Sequence, residues 1–321
     1  MRKILTLITS IFLADAAIAQ QDPQFSMGIQ NRMAINPGYA GSSGFLCGNL
    51  LARQQWFGVN GAPKSIAFSG DMPLMKETNH PIGVGLTVMA DKAGLLKSTY
   101  AKAAAAYRLL LSGGSSLGIG VEAGVMNVGY ESGGFIPETQ ADSRIPFNGV
   151  SKTGLDIGFG LHYSVPNQFH VGISVGHLNA GKFKYKGDTA FFSSARHIYV
   201  TAGYDYTLPN NPEIVLKPSI LLKNSLGSSL QLDVNIIALY NNSVWGGLSY
   251  RVISSDAVVP MVGYQKMMMD GKGTLKLGYS YDLTLSKLRT NSSGSHEILL
   301  GFCYDITPPV KVTKYKNPRF L

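Results

Sequence analysis

Residues 155–164 read Leu155-Asp156-Ile157-Gly158-Phe159-Gly160-Leu161-His162-Tyr163-Ser164. Every odd position is apolar and every even position is polar or glycine. A period of two marks a β-strand whose faces meet different surroundings. The same alternation recurs at 117–125, at 198–207 and at 275–283, where Leu275, Leu277, Tyr279, Tyr281 and Leu283 face away from Lys276, Gly278, Ser280 and Asp282. No stretch keeps a helical period over three turns. The alanine-rich run at 101–111 lies between strands and reads as one more.

Working outward, about fourteen such segments fill residues 43–306. Many are ~10 residues or longer, enough for a tilted strand to cross a bilayer's hydrocarbon layer. The pattern predicts an all-β fold, a transmembrane antiparallel up-and-down β-barrel of about 14 strands. An even count puts both termini on one side, the periplasmic one. With the first strand running outward, the long connections 131–152 and 180–195 fall outside, and the short turns near 112–114, 165–168, 210–213 and Asn242 fall inside, the asymmetry expected of outer-membrane barrels. An exported β-sandwich would also alternate. Strand length and the tyrosines near strand ends (Tyr163, Tyr204, Tyr240, Tyr250, Tyr279, Tyr304), suited to interfacial girdles, favour the barrel.

Composition agrees. Of 321 residues only 15% are charged, 45% are hydrophobic and 37 are glycine, with a net charge of +9. A water-facing domain carries about a quarter charged residues. Arg2 and Lys3, the apolar run 4–13 and Ala17-Ile18-Ala19 predict a signal peptide over 1–19, too short for a ~20-residue spanning helix. No cysteine follows the cleavage site to take a lipid. An exported chain has no call on nucleic acid, so the basic balance points elsewhere. The expected organisation is a signal peptide (1–19), a periplasmic N-terminal segment (20–42), the barrel (43–306) and a basic periplasmic tail (307–321).

One stretch is not repetitive. Gln24-Phe25-Ser26, then Asn36-Pro37-Gly38-Tyr39-Ala40-Gly41-Ser42, then Arg53-Gln54-Gln55-Trp56-Phe57-Gly58 and Gly61-Ala62-Pro63-Lys64-Ser65 resemble the PorP/SprF family of the type IX secretion system. The likeness runs weakly through the strand-rich body to Asn317-Pro318-Arg319-Phe320-Leu321, where family members more often end in two aromatics. The resemblance implies an outer-membrane barrel in a Bacteroidota-type cell. It implies support of cargo secretion, in some organisms of gliding, and association with a periplasmic ring of the same machine. The partners it implies are outer-membrane lipid, ring proteins and secreted cargo.

The residues have their own reading. Asn36-Pro37-Gly38 predicts a turn, Pro fixing φ and Gly permitting a positive one. Trp56 and Phe57 lie where the first strand leaves the outer interface. Arg53 and Gln55 share the face opposite Trp56, toward the lumen, and 58–63 forms a tight connection. Asn36, Pro37, Tyr39, Arg53, Gln55, Trp56 and Pro63 are therefore candidates either for closing and plugging the barrel or for a partner contact. The tail holds Lys311, Lys314, Lys316 and Arg319 with no acidic residue after Pro308-Pro309, a candidate for docking to an acidic ring protein.

Nothing points to catalysis or a cofactor. Serines abound without a nucleophile elbow. His162 and His170 sit on the polar faces of one hairpin as lumen-lining neighbours, lacking the further ligands of a stable metal site. Lys182-Phe183-Lys184-Tyr185-Lys186, with Phe191 and Phe192, reads as a hairpin extension or a binding surface. Many glycines and few charges on the polar faces predict a narrow or filled lumen. The alternative function is an outer-membrane channel, a diffusion porin or a transporter of hydrophobic compounds. Cys47 and Cys303 fall near the same end of the first and last strands. An oxidising compartment permits a disulfide, and barrel shear decides whether they come within reach.

Overall fold

The computed structural model describes residues 22–74, 81–131, 149–184, 190–225, 230–253 and 257–306. The predicted signal peptide and the basic tail with Lys311, Lys314, Lys316 and Arg319 lie outside the described residues. The strands are β1 (Leu46–Gln54), β2 (Lys64–Pro73), β3 (Ile82–Ala93), β4 (Leu96–Leu110), β5 (Ser116–Tyr130), β6 (Val150–Val165), β7 (Phe169–Gly176), β8 (Lys182–Lys184), β9 (Ala190–Ser193), β10 (His197–Tyr204), β11 (Tyr206–Leu208), β12 (Asn211–Ser225), β13 (Gln231–Tyr240), β14 (Val244–Arg251), β15 (Ala257–Met268), β16 (Gly273–Thr284) and β17 (Ser295–Tyr304). Each sheet strand pairs antiparallel with its sequence neighbours, β10 joins β7 to β12, and β1 pairs with β17 to close the ring.

The closed sheet has fourteen staves, because β10 and β11 are one stave broken at Asp205. The break has a cause in the neighbouring strand. Ladder pairing to β12 lapses between Gly203↔Ser219 and Tyr206↔Leu216, the gap facing Pro218, which has no N–H to give. The remaining pair, β8 and β9, is a separate hairpin whose Phe183 and Phe192 are buried in the core. The basic-aromatic run at 182–186 is thus, in its described part, a folded extension.

The alternation sorts outward from inward. Val121, Val125, Leu155, Ile236, Leu248, Val262 and Ile298 are exposed on the outer face. An apolar belt of this extent suits lipid and not water. Two sheets hiding apolar faces against each other, the sandwich alternative, are not what forms. The inner face holds the glycines and, against expectation, many charges: Arg53, Lys102, Glu122, Asp156, Asp233, Arg251, Asp282 and Glu297 are all buried. One barrel end carries the long connections 131–149 and 177–196, the other short turns such as 166–168 and 241–243.

The N-terminal segment departs from the expected periplasmic placement. From Asp22 to Phe45 the chain runs inside the barrel through three 3-10 turns, Gly28–Gln30, Arg32–Ala34 and Pro37–Tyr39. Asp22 bonds His177 and His197 at the long-loop end, whereas Leu46 opens β1 at the short-turn end. The first described residue therefore lies at the opposite end from the one predicted for the N-terminus. The physical reason is apolar content and a matching wall. Met27, Ile29, Met33 and Ala40 are buried, each full methionine burial being worth about 1.5–3 kcal/mol. Opposite them the wall is glycine: a Cβ on Gly83 would meet the Ala40 carbonyl oxygen at 2.0 Å, and one on Gly120 would meet the Pro37 carbonyl carbon at 2.3 Å.

Gly38 likewise serves close approach and not a positive φ, since its Cβ would stand 2.8 Å from the Gly160 carbonyl oxygen. Asn36 caps the turn by accepting from the Gly38 N–H at 2.8 Å.

At the closing seam Cys47 and Cys303 are register partners with Cα atoms 4.0 Å apart, joined by a disulfide. Denatured but unreduced protein is expected to take up no maleimide, and reduced protein to take up two; equal labelling of both would show the bridge absent.

Candidate functional site

Polar side chains on the inner wall meet the plug at three levels. The first is a node around Ser26. Its hydroxyl donates to Asp282 Oδ1 at 2.7 Å and accepts from Arg53 Nη1 at 2.7 Å and Arg251 Nη2 at 2.5 Å. One donor and two acceptors exhaust a serine hydroxyl. The Ser26 and Met27 backbone N–H groups donate to the two oxygens of Glu297 at 2.7 and 2.8 Å. Arg53 also donates to Asp282 at 2.6 Å and Glu297 at 3.1 Å, and Arg251 to Asp282 at 2.6 Å. Two guanidiniums thus meet two carboxylates in a space closed to solvent. β1, β14, β16 and β17 position them, all on the polar phase of their strands.

The second level holds Asp22. Its carboxylate meets His177 Nε2 at 2.9 Å and accepts from the Tyr199 hydroxyl at 2.7 Å. Its N–H donates to His197 Nε2 at 3.1 Å, and its carbonyl accepts from Lys223 at 2.6 Å. The other nitrogen of His177 meets Asp156 at 2.9 Å, and Lys102 donates to Glu122 at 2.6 Å beside it. Burial alone would push His177 toward the neutral form, but Asp22 and Asp156 outweigh it and raise its pKa to about 10. Burial likewise opposes ionisation of Asp22, yet His177, His197 and Lys223 hold its carboxyl well below the usual range. Asp22, His177 and His197 offer ligand atoms within 4.8 Å of one another. The Lys223 ammonium on Asp22 opposes a divalent cation there, and the arrangement is that of an imidazolium between two carboxylates.

The third level, toward the short-turn end, is glycine and amide. Asn36 Nδ2 donates to the Leu161 carbonyl at 2.9 Å, the Gly41 N–H donates to Asp71 at 2.9 Å, and Ser69 bonds Asn31. Tyr39 packs edge-on against His162 at 5.2 Å, and His162 lies 6.0 Å from His170, both buried in the lumen wall.

The sequence candidates divide into three places. Asn36, Pro37 and Tyr39 form the lower plug against β4, β5 and β6, and Arg53 anchors its upper part. Gln55, Trp56 and Pro63 sit in the β1–β2 connection at the long-loop end, where the Gln55 N–H donates to the Pro63 carbonyl at 2.9 Å and the Trp56 N–H to Ser295 Oγ at 3.1 Å. They do not touch the plug node as one cluster. Sequence reading missed Asp22, Ser26, Asp282, Glu297 and Arg251. Its usable signal was the repeated charge on polar strand phases, set against an otherwise charge-poor chain.

Removing Arg53 leaves Asp282 and Glu297 short of a partner. Arg53→Met is expected to cost about 3–5 kcal/mol, read as a lowered midpoint in urea with heat-modifiable gel mobility as the folding assay. His177 supplies a pH test. With its pKa raised from 6.5 to about 10, its contribution is whole below 6.5 and is lost as pH rises through about 10. The parent's melting temperature should fall along that limb, and His177→Gln should flatten it.

Comparison with known proteins places the chain among membrane barrels. The family described as type IX secretion system membrane protein PorP/SprF matches residues 17–302. No curated protein matches the chain. Among solved structures it is similar to the toluene transporter TbuX of Ralstonia pickettii, at 13% identity and a TM-score of 0.50 over 85% of this chain and 92% of that one. It is similar to the toluene transporter TodX of Pseudomonas putida, at 11% identity and 0.50 over 89% and 95%. At these identities the likeness concerns the fold.

Proposed function

The chain belongs to the PorP/SprF family of type IX secretion system membrane proteins, and from that premise we propose that it is a non-enzymatic, plugged outer-membrane component of the secretion machine. Its part is to couple the outer membrane to the periplasmic ring, to secreted cargo, or to both, with gliding as a further output in cells that glide. The observation that carries the reading is the lumen filled by residues 22–45 and bound to the wall by buried charge. A lumen so filled leaves no open aqueous pore of the kind a diffusion porin keeps. The long-loop end faces the medium and the short-turn end the periplasm, in line with the usual asymmetry. The tail after Ile306 leaves β17 at the short-turn end, where Lys311, Lys314, Lys316 and Arg319 dock to an acidic ring surface. The turn holding Gln55, Trp56 and Pro63 is the matching candidate for cargo at the other end.

The second reading, a channel for hydrophobic compounds, draws support from the toluene transporters of similar fold. Purification in mild detergent from the native membrane separates the two. The secretion reading expects ring or cargo proteins to co-elute, loss of ring co-elution on truncation after Ile306, and no conductance in planar bilayers. A barrel that elutes alone and conducts would contradict it.

A further inference from the structure

Below the plug, the lumen opens at the short-turn end into a cavity of about 370 Å³ whose lining includes Arg32, Tyr39, Lys217, Trp245 and Lys276. Its volume lies within the ~300–1,000 Å³ of small-molecule pockets. Three cationic side chains, Arg32, Lys217 and Lys276, share this lining with two carboxylates, Asp71 and Asp205. The Trp245 indole N–H and the Gln30 side-chain amide are buried with no hydrogen-bond partner among the described residues. The Lys276 ammonium lies 5.4 Å over the Trp245 ring, with no carboxylate partner among the described residues. Arg32 spends its Nε on the Ile29 carbonyl, stacks over Tyr39 at 5.8 Å and lines the cavity.

The acids nearby are already engaged, Asp205 with Lys217 at 2.7 Å and Asp71 with the Gly41 N–H. The platform is also built in: a Cβ on Gly263 would stand 2.1 Å from the Trp245 ring and one on Gly278 2.8 Å, so both glycines clear the space in which the indole lies. Ile237 and Leu239 supply an apolar flank.

Arg32 and Lys276 line one half-enclosed space, and water leaves the Lys276 ammonium there without a counter-charge. An anion supplies it. We propose that this vestibule binds an organic carboxylate, its head on Lys276 and Arg32 and its apolar body against Ile237 and Leu239. The site is independent of the role in secretion.

The chain has two tryptophans, so Trp56→Phe leaves Trp245 as sole reporter. Full-length protein in a neutral detergent is titrated with octanoate below its micellar concentration, and with octanol. Octanoate is expected to shift Trp245 emission saturably and octanol is not. Lys276→Met should weaken octanoate at least about tenfold, the loss of a charge-assisted contact. Lys276→Gln serves if the Met variant lacks the heat-modifiable band. Equal responses to the acid and the alcohol, no saturable response, or undiminished affinity without the lysine would each overturn the proposal.

Discussion

The Ser26 hydroxyl, clamped by two guanidiniums and bonded to a carboxylate, is the contact on which the interior depends. A closed barrel of fourteen staves turns every polar strand phase toward one enclosed space. Arg53, Arg251, Asp282 and Glu297 meet there without solvent, and charges in such a place are costly unless each is paired and bonded. The wall alone does not complete them. Glu297 needs the Ser26 and Met27 N–H groups, and the two arginines need the serine oxygen. The plug is therefore part of the charge balance and not a filling added to a finished barrel.

The two halves of the plug are held by different physics. The long-loop half relies on ionic and charge-assisted bonds at Asp22 and Ser26. The short-turn half relies on close approach, Pro37, Gly38 and Ala40 lying on Gly83, Gly118, Gly120 and Gly160. Beside that lower half the disulfide ties β1 to β17 where the ring closes, so plug, seam and first strand form one continuous element. The vestibule begins where the plug stops filling the lumen.

Much of the architecture was legible because alternation is a local property. The polar phase of 155–164 shows a strand facing two environments, and the count of such runs gives the barrel. Cys47 and Cys303 could be put at one end of neighbouring strands by the same reasoning. The path of 22–45 was not legible, since nothing local says that Met27 and Met33 bury inside a barrel rather than against a partner. Nor could the periodicity show that Glu297 and Arg53, 244 residues apart, share one serine. The turn at Asn36-Pro37-Gly38 was read correctly as a turn but for the wrong glycine property. That error came from treating a tertiary contact as a backbone preference. Charge on the inner face was underestimated because a low total masks its concentration at the polar phases of a few strands.

A plugged barrel, an apolar outer belt and membership in the PorP/SprF family agree on an outer-membrane component of a type IX secretion system. Hydrogen–deuterium exchange of the full chain in native membrane or nanodiscs tests its centre most directly. If residues 22–45 are held as described, the Ser26 and Met27 amides exchange as slowly as those of β1 and β17. Exchange of that segment at loop rates, beside protected strands, would contradict the account.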